Sequence, residues 1–166
     1  RMLVLTYLSA GGAAPVLLIH DPEFGDETIS AIARTGRGLP AHVLPFAIAE
    51  ITAVGLDLLL TAFAYGIAQV HVIASPRHRD ALAPLRRHAE MIDAIFAGLG
   101  FEPGRMIIDD GHDPAGLETA LYAAPPQSIA PVAPAKYAVI GDKRTTLRLA
   151  LTHLHAAAPC PAETIP

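Results

Sequence analysis

The chain has 166 residues, of which 52% are hydrophobic and 17% charged, and its formal net charge is −4. This balance excludes an intrinsically disordered chain, and it argues against nucleic-acid binding, which normally relies on a basic surface. A single cysteine, Cys160, can form no intramolecular disulfide and cannot by itself hold a structural zinc ion or an iron–sulfur cluster.

The chain has no predicted membrane span and no predicted secretory signal. Its longest apolar stretch, residues 54–67, is interrupted by Asp57 and is too short to cross a bilayer. We therefore expect a soluble, cytoplasmic protein. The length fits a single α/β domain, residues 1–158. We expect residues 159–166 to be a proline-rich linker to a further segment, as in a domain taken from a longer protein.

Helical and strand-like segments alternate along the chain. The first half predicts a leading helix (1–10), a strand (15–21), a helix (26–34), a strand (41–46) and a long apolar helix (49–65). The second half predicts a strand (69–74), an amphipathic helix (79–99), a strand (105–109), a helix from the cap Asp113 through Tyr122, a proline-rich loop or strap (124–135) and a closing helix (142–157) capped by Asp142. Residues 137–141 fit either a short strand or the approach to the closing helix.

This alternation specifies a doubly wound, mostly parallel sheet of four or five strands, in a flavodoxin-like or Rossmann-like three-layer sandwich. The strand cores are continuously apolar rather than alternating, which is typical of strands covered on both faces. We therefore expect four inner parallel strands. Their cores are residues 16–19, 43–46, 70–73 and 106–108.

Ligands of such sheets bind beyond the carboxyl ends of the strands. None of the turns there is a G-x-G-x-x-G or P-loop sequence, so no nucleotide fingerprint is present. The turn after the third strand is the most polar of them. Its candidate residues for an anion or an acidic partner are Ser75, Arg77, His78 and Arg79.

Helix amide groups and the helix dipole favour an anion at this turn, whereas positive side chains there cost helix stability. Removing Arg77 or Arg79 should then leave stability unchanged or slightly raised. The alternative is a solvated turn with ordinary surface charge. A second candidate is a polar cluster of His20, Asp21 and Glu50 at the strand ends.

No metal site and no catalytic residue set are predicted. The eight histidines are scattered over different elements, and no H-E-x-x-H sequence occurs. His153 and His155 diverge around their helix, and Asp109 and Asp110 point to opposite faces of a strand. A G-x-S-x-G nucleophile elbow is also absent from the sequence.

Three stretches show a family resemblance: FAYGIAQVHVIAS (63–75), IFAGLGFEPGRMIIDD (95–110) and GDKRTTLRLALTHLHAAAP (141–159). Over residues 16–122 the chain resembles the delta (iron–sulfur) subunit of methyl-viologen-reducing hydrogenases, in which a similar Glu-Pro-x-Arg step, here residues 102–105, leads into the last strand. The third stretch resembles the sequence that precedes paired cluster motifs in long bacterial 4Fe-4S ferredoxin-type proteins. In those proteins this domain lies between cysteine-rich segments.

The chain departs from the delta subunits at the residues that matter for redox chemistry. That family carries cysteines at the ends of its first three strands, where they can hold a 2Fe–2S cluster. The corresponding positions here are His20-Asp21, Phe46-Ala47 and Ala74-Ser75. The resemblance thus implies an inherited fold without the cluster.

Three functions follow as hypotheses. The first is a cofactor-free scaffold or docking domain of a larger 4Fe-4S electron-transfer protein, with its clusters and possibly a redox partner protein outside this chain. The second is a small-molecule, anion or nucleotide-binding module. The third is an enzyme with an unrecognised site.

Overall fold

The computed structural model describes residues 1–110, 113–139 and 141–161, and the side chains of all of these except His78. The strands in this part of the chain are β1 (Val16–His20), β2 (Val43–Ala47), β3 (Gln69–Ile73) and β4 (Met106–Asp109). The α-helices are α1 (Met2–Ser9), α2 (Phe24–Thr35), α3 (Leu56–Ala64), α4 (Ala83–Gly98), α5 (Pro114–Ala123) and α6 (Lys143–Ala156). Short 3-10 helices cover Ile51–Ala53 and Pro76–Leu82.

The sheet is parallel throughout, in the order β2-β1-β3-β4. Leu17 and Val70 belong to a core formed with α3, α4 and α6, whereas Leu18 and Ile73 belong to a second core formed with α2 and α5. Neighbouring residues of a strand point to opposite faces, so the sheet is covered on both sides. The predicted doubly wound α/β fold is confirmed, and its strand order is that of flavodoxin-like sheets.

The expectation of four inner strands is wrong for β2 and β4, which form the two edges of the sheet within the described chain. β1 and β3 are buried along their whole length, but Pro45, Phe46 and Ala47 of β2 are exposed. His20 and Ile48 share the ladder contact at the end of β2, where the Ile48 N–H donates to the His20 carbonyl. Because ladder bonds recur every second residue, the backbone nitrogen of residue 45 points away from β1. A proline there costs no ladder bond and protects the edge from strand addition.

The long helix expected over residues 49–65 is interrupted. The Glu50 carboxylate accepts a hydrogen bond from the Thr52 N–H and begins the short 3-10 helix, and Val54 and Gly55 then adopt extended backbone before α3. The helix expected over 79–99 likewise begins as a 3-10 turn at Pro76. Apolar periodicity ran through both breaks, so it could not reveal them.

The remaining helix ends agree with the sequence. Asp113 accepts hydrogen bonds from the N–H groups of Ala115 and Gly116, and Asp142 accepts one from Thr145, as expected of N-caps. Residues 137–139 and 141 form no strand, so the sheet has four strands in the described chain. None of the described helices combines the length and the apolar character needed to cross a membrane.

The proline-rich strap is tied to the sheet by Arg105, whose side chain is 1% exposed. Its guanidinium donates hydrogen bonds to the carbonyls of Glu102, Ala68 and Ala130, and it lies 4.5 Å from the ring centroid of Phe96. Along the strap every third residue is buried, the spacing of a polyproline II helix with one face on the core. These residues are Ile129, Val132 and Ala135.

A polar pair lies inside the second core, on β3. His71 is 3% exposed, and its Nε2–H donates to the Gln69 side-chain oxygen at 3.1 Å, while the Gln69 amide donates to the Gly104 carbonyl. His71 Nδ1 has no hydrogen-bond partner among the described residues. Burial lowers the pKa of His71 from its ordinary 6.5 to about 4.

Leu18→Ala should lower the free energy of unfolding by ~2–5 kcal/mol, because Leu18 is fully buried in the central strand and its truncation leaves a cavity. Urea unfolding followed by circular dichroism measures the change. Met91→Ala is the control: that side chain is 48% exposed on α4, and its truncation should change the stability by less than about 0.5 kcal/mol. A near-neutral Leu18→Ala would contradict the two-sided burial of β1.

His71 should make the protein less stable in acid. Between pH 6.5 and 4 the unfolded chain binds a proton at His71 that the folded chain does not, so the free energy of unfolding falls as the pH falls through this window. The full loss is on the order of 3 kcal/mol. His71→Gln should flatten this slope in denaturant titrations at several pH values. His155→Gln on exposed α6 should leave it unchanged, and equal slopes for His71→Gln and the wild type would refute the assignment.

Candidate functional site

The ends of β1, β2 and β3 lie side by side at the carboxyl edge of the sheet. His20 is paired in register with Ala47, and Ile19 with Val72, so the end of β3 lies beside His20. The chain leaves β1 toward β2 on one side and later returns to β3 on the other. The β1–β3 boundary is therefore the topological switch point, where ligands of open α/β sheets bind.

A crevice of about 730 Å³ opens at this switch point. Its volume lies in the range of small-molecule sites. One wall is the turn between β1 and α2 together with the first turn of α2, and the other is the turn after β3. The lining residues are Asp21, Pro22, Glu23, Phe24, Glu27, Ala49, Ser75, Pro76 and Arg77.

The first wall is a turn held by Asp21 and Gly25. The Asp21 Oδ1 atom accepts hydrogen bonds from the N–H groups of Glu23, at 2.8 Å, and Gly25, at 3.2 Å. A side chain at position 25 could not fit, because a Cβ atom there would lie 2.5 Å from the His20 Cβ atom. The glycine is therefore required by close packing of α2 on the end of β1.

Each member of the predicted cluster of His20, Asp21 and Glu50 has a partner nearby in the chain. His20 is buried, and its Nδ1 lies 3.1 Å from the Asp26 carboxylate and 3.1 Å from the Asp21 carbonyl. Glu50 accepts hydrogen bonds from the N–H and the hydroxyl of Thr52. Of the three, Asp21 lines the crevice, while the described lining includes neither His20 nor Glu50.

The residues of the basic turn on the second wall have different contacts. Ser75 is buried and its hydroxyl accepts a hydrogen bond from the Arg77 N–H, which begins the 3-10 helix, and the Arg77 side chain lines the crevice. Arg79 instead forms an ion pair with Asp110, with a distance of 3.2 Å between Nε and Oδ2. Arg86 approaches the same carboxylate at 3.6 Å. The predicted side-chain role of His78 lies outside the described atoms.

Sequence reasoning missed Glu23 and Glu27, which are two of the three acidic residues in the crevice lining. Both are exposed residues of the β1–α2 segment, and together with Asp21 they set three carboxylates against the guanidinium of Arg77. Acidic residues at the start of a helix are common for the sake of the helix dipole, so their pattern alone carries no functional signal. The position of Asp21 at a strand end was a signal that could have identified them, since both residues follow it within the next turn and the start of α2.

A smaller pocket of about 270 Å³ adjoins the crevice between α2 and α5 and shares Phe24 and Glu27 with it. Its floor is apolar, with Ile73 and Leu117, and its rim includes the carboxylates of Asp109 and Asp113. Asp113 already caps α5. The acidic character of the first wall therefore continues toward the end of β4.

The residues at the three strand ends do not fit an iron–sulfur cluster. The Ala47 side chain has no metal-binding atom, the Ser75 hydroxyl accepts a hydrogen bond from the Arg77 N–H, and the His20 Nδ1 faces Asp26. Among the described residues no group of three or more His, Cys, Asp or Glu side chains is arranged to hold a metal ion. Cys160 lies at the opposite edge of the sheet, where its N–H donates to the Leu99 carbonyl ahead of β4. Of the stretch expected to be a linker, residues 159–161 lie within the described chain.

No protein-family model matches this chain, and no curated protein sequence matches it. The resemblance to the hydrogenase delta subunits therefore rests on the quoted residues alone. The geometry of the carboxyl edge is the independent observation that bears on function.

Arg77→Ala and Arg79→Ala should differ in their effect on stability. Arg77 has no ion pair in the described chain, so its removal should change the free energy of unfolding by less than about 0.5 kcal/mol. Arg79→Ala breaks the ion pair with Asp110 and should cost about 0.2–1 kcal/mol, which a double-mutant cycle with Asp110→Asn would assign to the pair. A zero coupling energy between Arg79 and Asp110 would contradict the stabilising role of this ion pair.

Proposed function

We propose that this chain is a cofactor-free docking or scaffold domain of a larger, cytoplasmic 4Fe-4S electron-transfer protein. One observation carries the proposal. The three strand ends at which the delta subunits hold cysteines are neighbours at one edge here, and His20, Ala47 and Ser75 stand there without a thiolate. The resemblance to the 4Fe-4S ferredoxin-type proteins supports clusters in flanking parts of the parent protein.

The architecture suits a scaffold. A parallel sheet buried on both faces forms a stiff unit, and loops at its carboxyl edge can change without disturbing the cores. The domain would hold flanking ferredoxin-type cluster domains, and a redox partner protein, at fixed separations. Its own residues would contribute binding surface rather than electron carriers.

A second function, a small-molecule-binding module, is favoured by the crevice itself. The crevice lies at the switch point of the sheet, has the volume of a small-ligand site and brings together side chains from three turns. The two functions are compatible, because a docking domain of an electron-transfer protein can also bind a ligand.

The isolated chain should take up no cluster under anaerobic reconstitution with iron and sulfide, and it should remain colourless. The reason is that one cysteine cannot replace the several thiolates a cluster needs. Visible absorption and iron content are the measurements. Cys160→Ala is the matched control, and stoichiometric cluster uptake that persists in this variant would defeat the proposal.

The docking role is tested in the parent protein. We expect its reading frame to contain C-x2-C-x2-C-x3-C runs beside this domain and the purified protein to show reduced 4Fe-4S signals by electron paramagnetic resonance. Deleting the domain should preserve the cluster signals and slow electron transfer to the partner. Absence of such cysteine runs, or unchanged transfer after the deletion, would overturn the role.

A further inference from the structure

The crevice presents opposite charges on its two walls. Glu23 and Glu27 lie on the α2 side and Arg77 on the side of the turn after β3. Within the described chain none of these three side chains has an ion pair or a side-chain hydrogen bond. Their charges border the same open space and are left for solvent or for a ligand.

The space between these charges is partly apolar. Phe24 is half-buried in the lining, and Pro22, Pro76 and Ala49 add apolar surface around it. Such a surface favours the hydrocarbon part of a ligand, and an aromatic ring also attracts a cation. The lining therefore suits a short chain or ring that joins two polar ends.

A simple anion is a poor match for this lining. Asp21, Glu23 and Glu27 outnumber Arg77, so inorganic phosphate would be attracted by one guanidinium and repelled by three carboxylates. A simple cation would be attracted by the three carboxylates and repelled only by Arg77. A molecule with both charges would have a favourable partner at each wall. The sequence predicted an anion or partner site at Ser75, Arg77, His78 and Arg79, and the charges of the lining favour a ligand that is also cationic.

We propose that the crevice binds a small dipolar ligand, with an ammonium-type group at Glu23 and Glu27 and a carboxylate or phosphate group at Arg77. This inference rests on the second function proposed above, the small-molecule-binding module, and names its ligand class. A longer cationic end has room in the adjoining pocket, which shares Phe24 and Glu27.

Isothermal titration calorimetry on the chain can test this with four probes: 6-aminohexanoate, hexanoate, hexylamine and inorganic phosphate. The dipolar probe carries both charges, and each of the others lacks one. Because exposed charge pairs contribute about 0.2–1 kcal/mol each, we expect 6-aminohexanoate to bind about 1.4-fold to fivefold more tightly than hexanoate or hexylamine. Phosphate should bind more weakly than the dipolar probe.

Two variants identify the charged ends. Arg77→Gln should remove the advantage of 6-aminohexanoate over hexylamine, and Glu27→Gln should reduce its advantage over hexanoate. The controls are Arg34→Gln and Glu90→Gln, exposed residues of α2 and α4 outside the crevice lining, which should leave all four affinities unchanged. Thermal unfolding confirms that each variant is folded, since all four side chains lie at the surface.

The outcomes separate the inference from the functions on which it depends. Hexanoate or phosphate binding as tightly as 6-aminohexanoate, with sensitivity to Arg77→Gln, would overturn the dipolar ligand and leave an anion site. No binding of any probe at about 20 mM would overturn both the ligand class and the small-molecule-binding function. Neither result would affect the docking role, which is tested in the parent protein.

Discussion

The arrangement of this domain depends on the hydrogen bonds that the buried guanidinium of Arg105 donates. It lies at the start of β4 and donates hydrogen bonds to carbonyls from three places: its own turn, the residue before β3 and the proline-rich strap. The rings of Phe96 and Phe101 lie within 4.5 and 5.5 Å of it. Burial lowers the pKa of Arg105 to about 10, so it stays charged at neutral pH, and the carbonyls and rings take the place of water.

This interaction closes the amino edge of the sheet. The strap also reaches the end of α3, where the Ala135 N–H donates to the Ala64 carbonyl, and Cys160 approaches the turn at Leu99. The Ala68 carbonyl belongs to a buried residue and is satisfied there by the Arg105 side chain. The amino edge is therefore fixed by long-range contacts, whereas the turns at the carboxyl edge are held mainly by local caps such as those of Asp21, Glu50 and Ser75.

The difference between the two edges explains which parts could be predicted from sequence. Continuous apolar runs identified β1 and β3, and aspartates followed by a proline or a basic residue identified the caps of α5 and α6, because these signals are local. The edge position of β2 depends on strand order, which no local pattern contains. The break before α3 was hidden because Glu50 and Gly55 interrupt the backbone without interrupting the apolar residues.

The candidate site was predicted in part for the same reason. Asp21, Ser75 and Arg77 follow strands directly, so the rule that parallel strands end at one edge brought them together. The partner of His20 is Asp26, on the first turn of α2, and the partner of Arg79 is Asp110, beyond β4. These pairings depend on side-chain direction across packed elements, which the spacing of residues along the chain does not determine.

When the turns at the carboxyl edge of a sheet are held by local hydrogen bonds, the residues of those turns can differ at small cost in stability. His20 and Ser75 are buried and Ala47 is exposed, yet none of the three belongs to either apolar core. Their side chains can therefore differ without changing the packing of those cores. The charged residues that line the crevice are unequal in number. Asp21, Glu23 and Glu27 are acidic, and Arg77 is the single basic residue among the described lining residues. The proposed dipolar ligand would meet this excess of acidic residues with its cationic end and Arg77 with its anionic end.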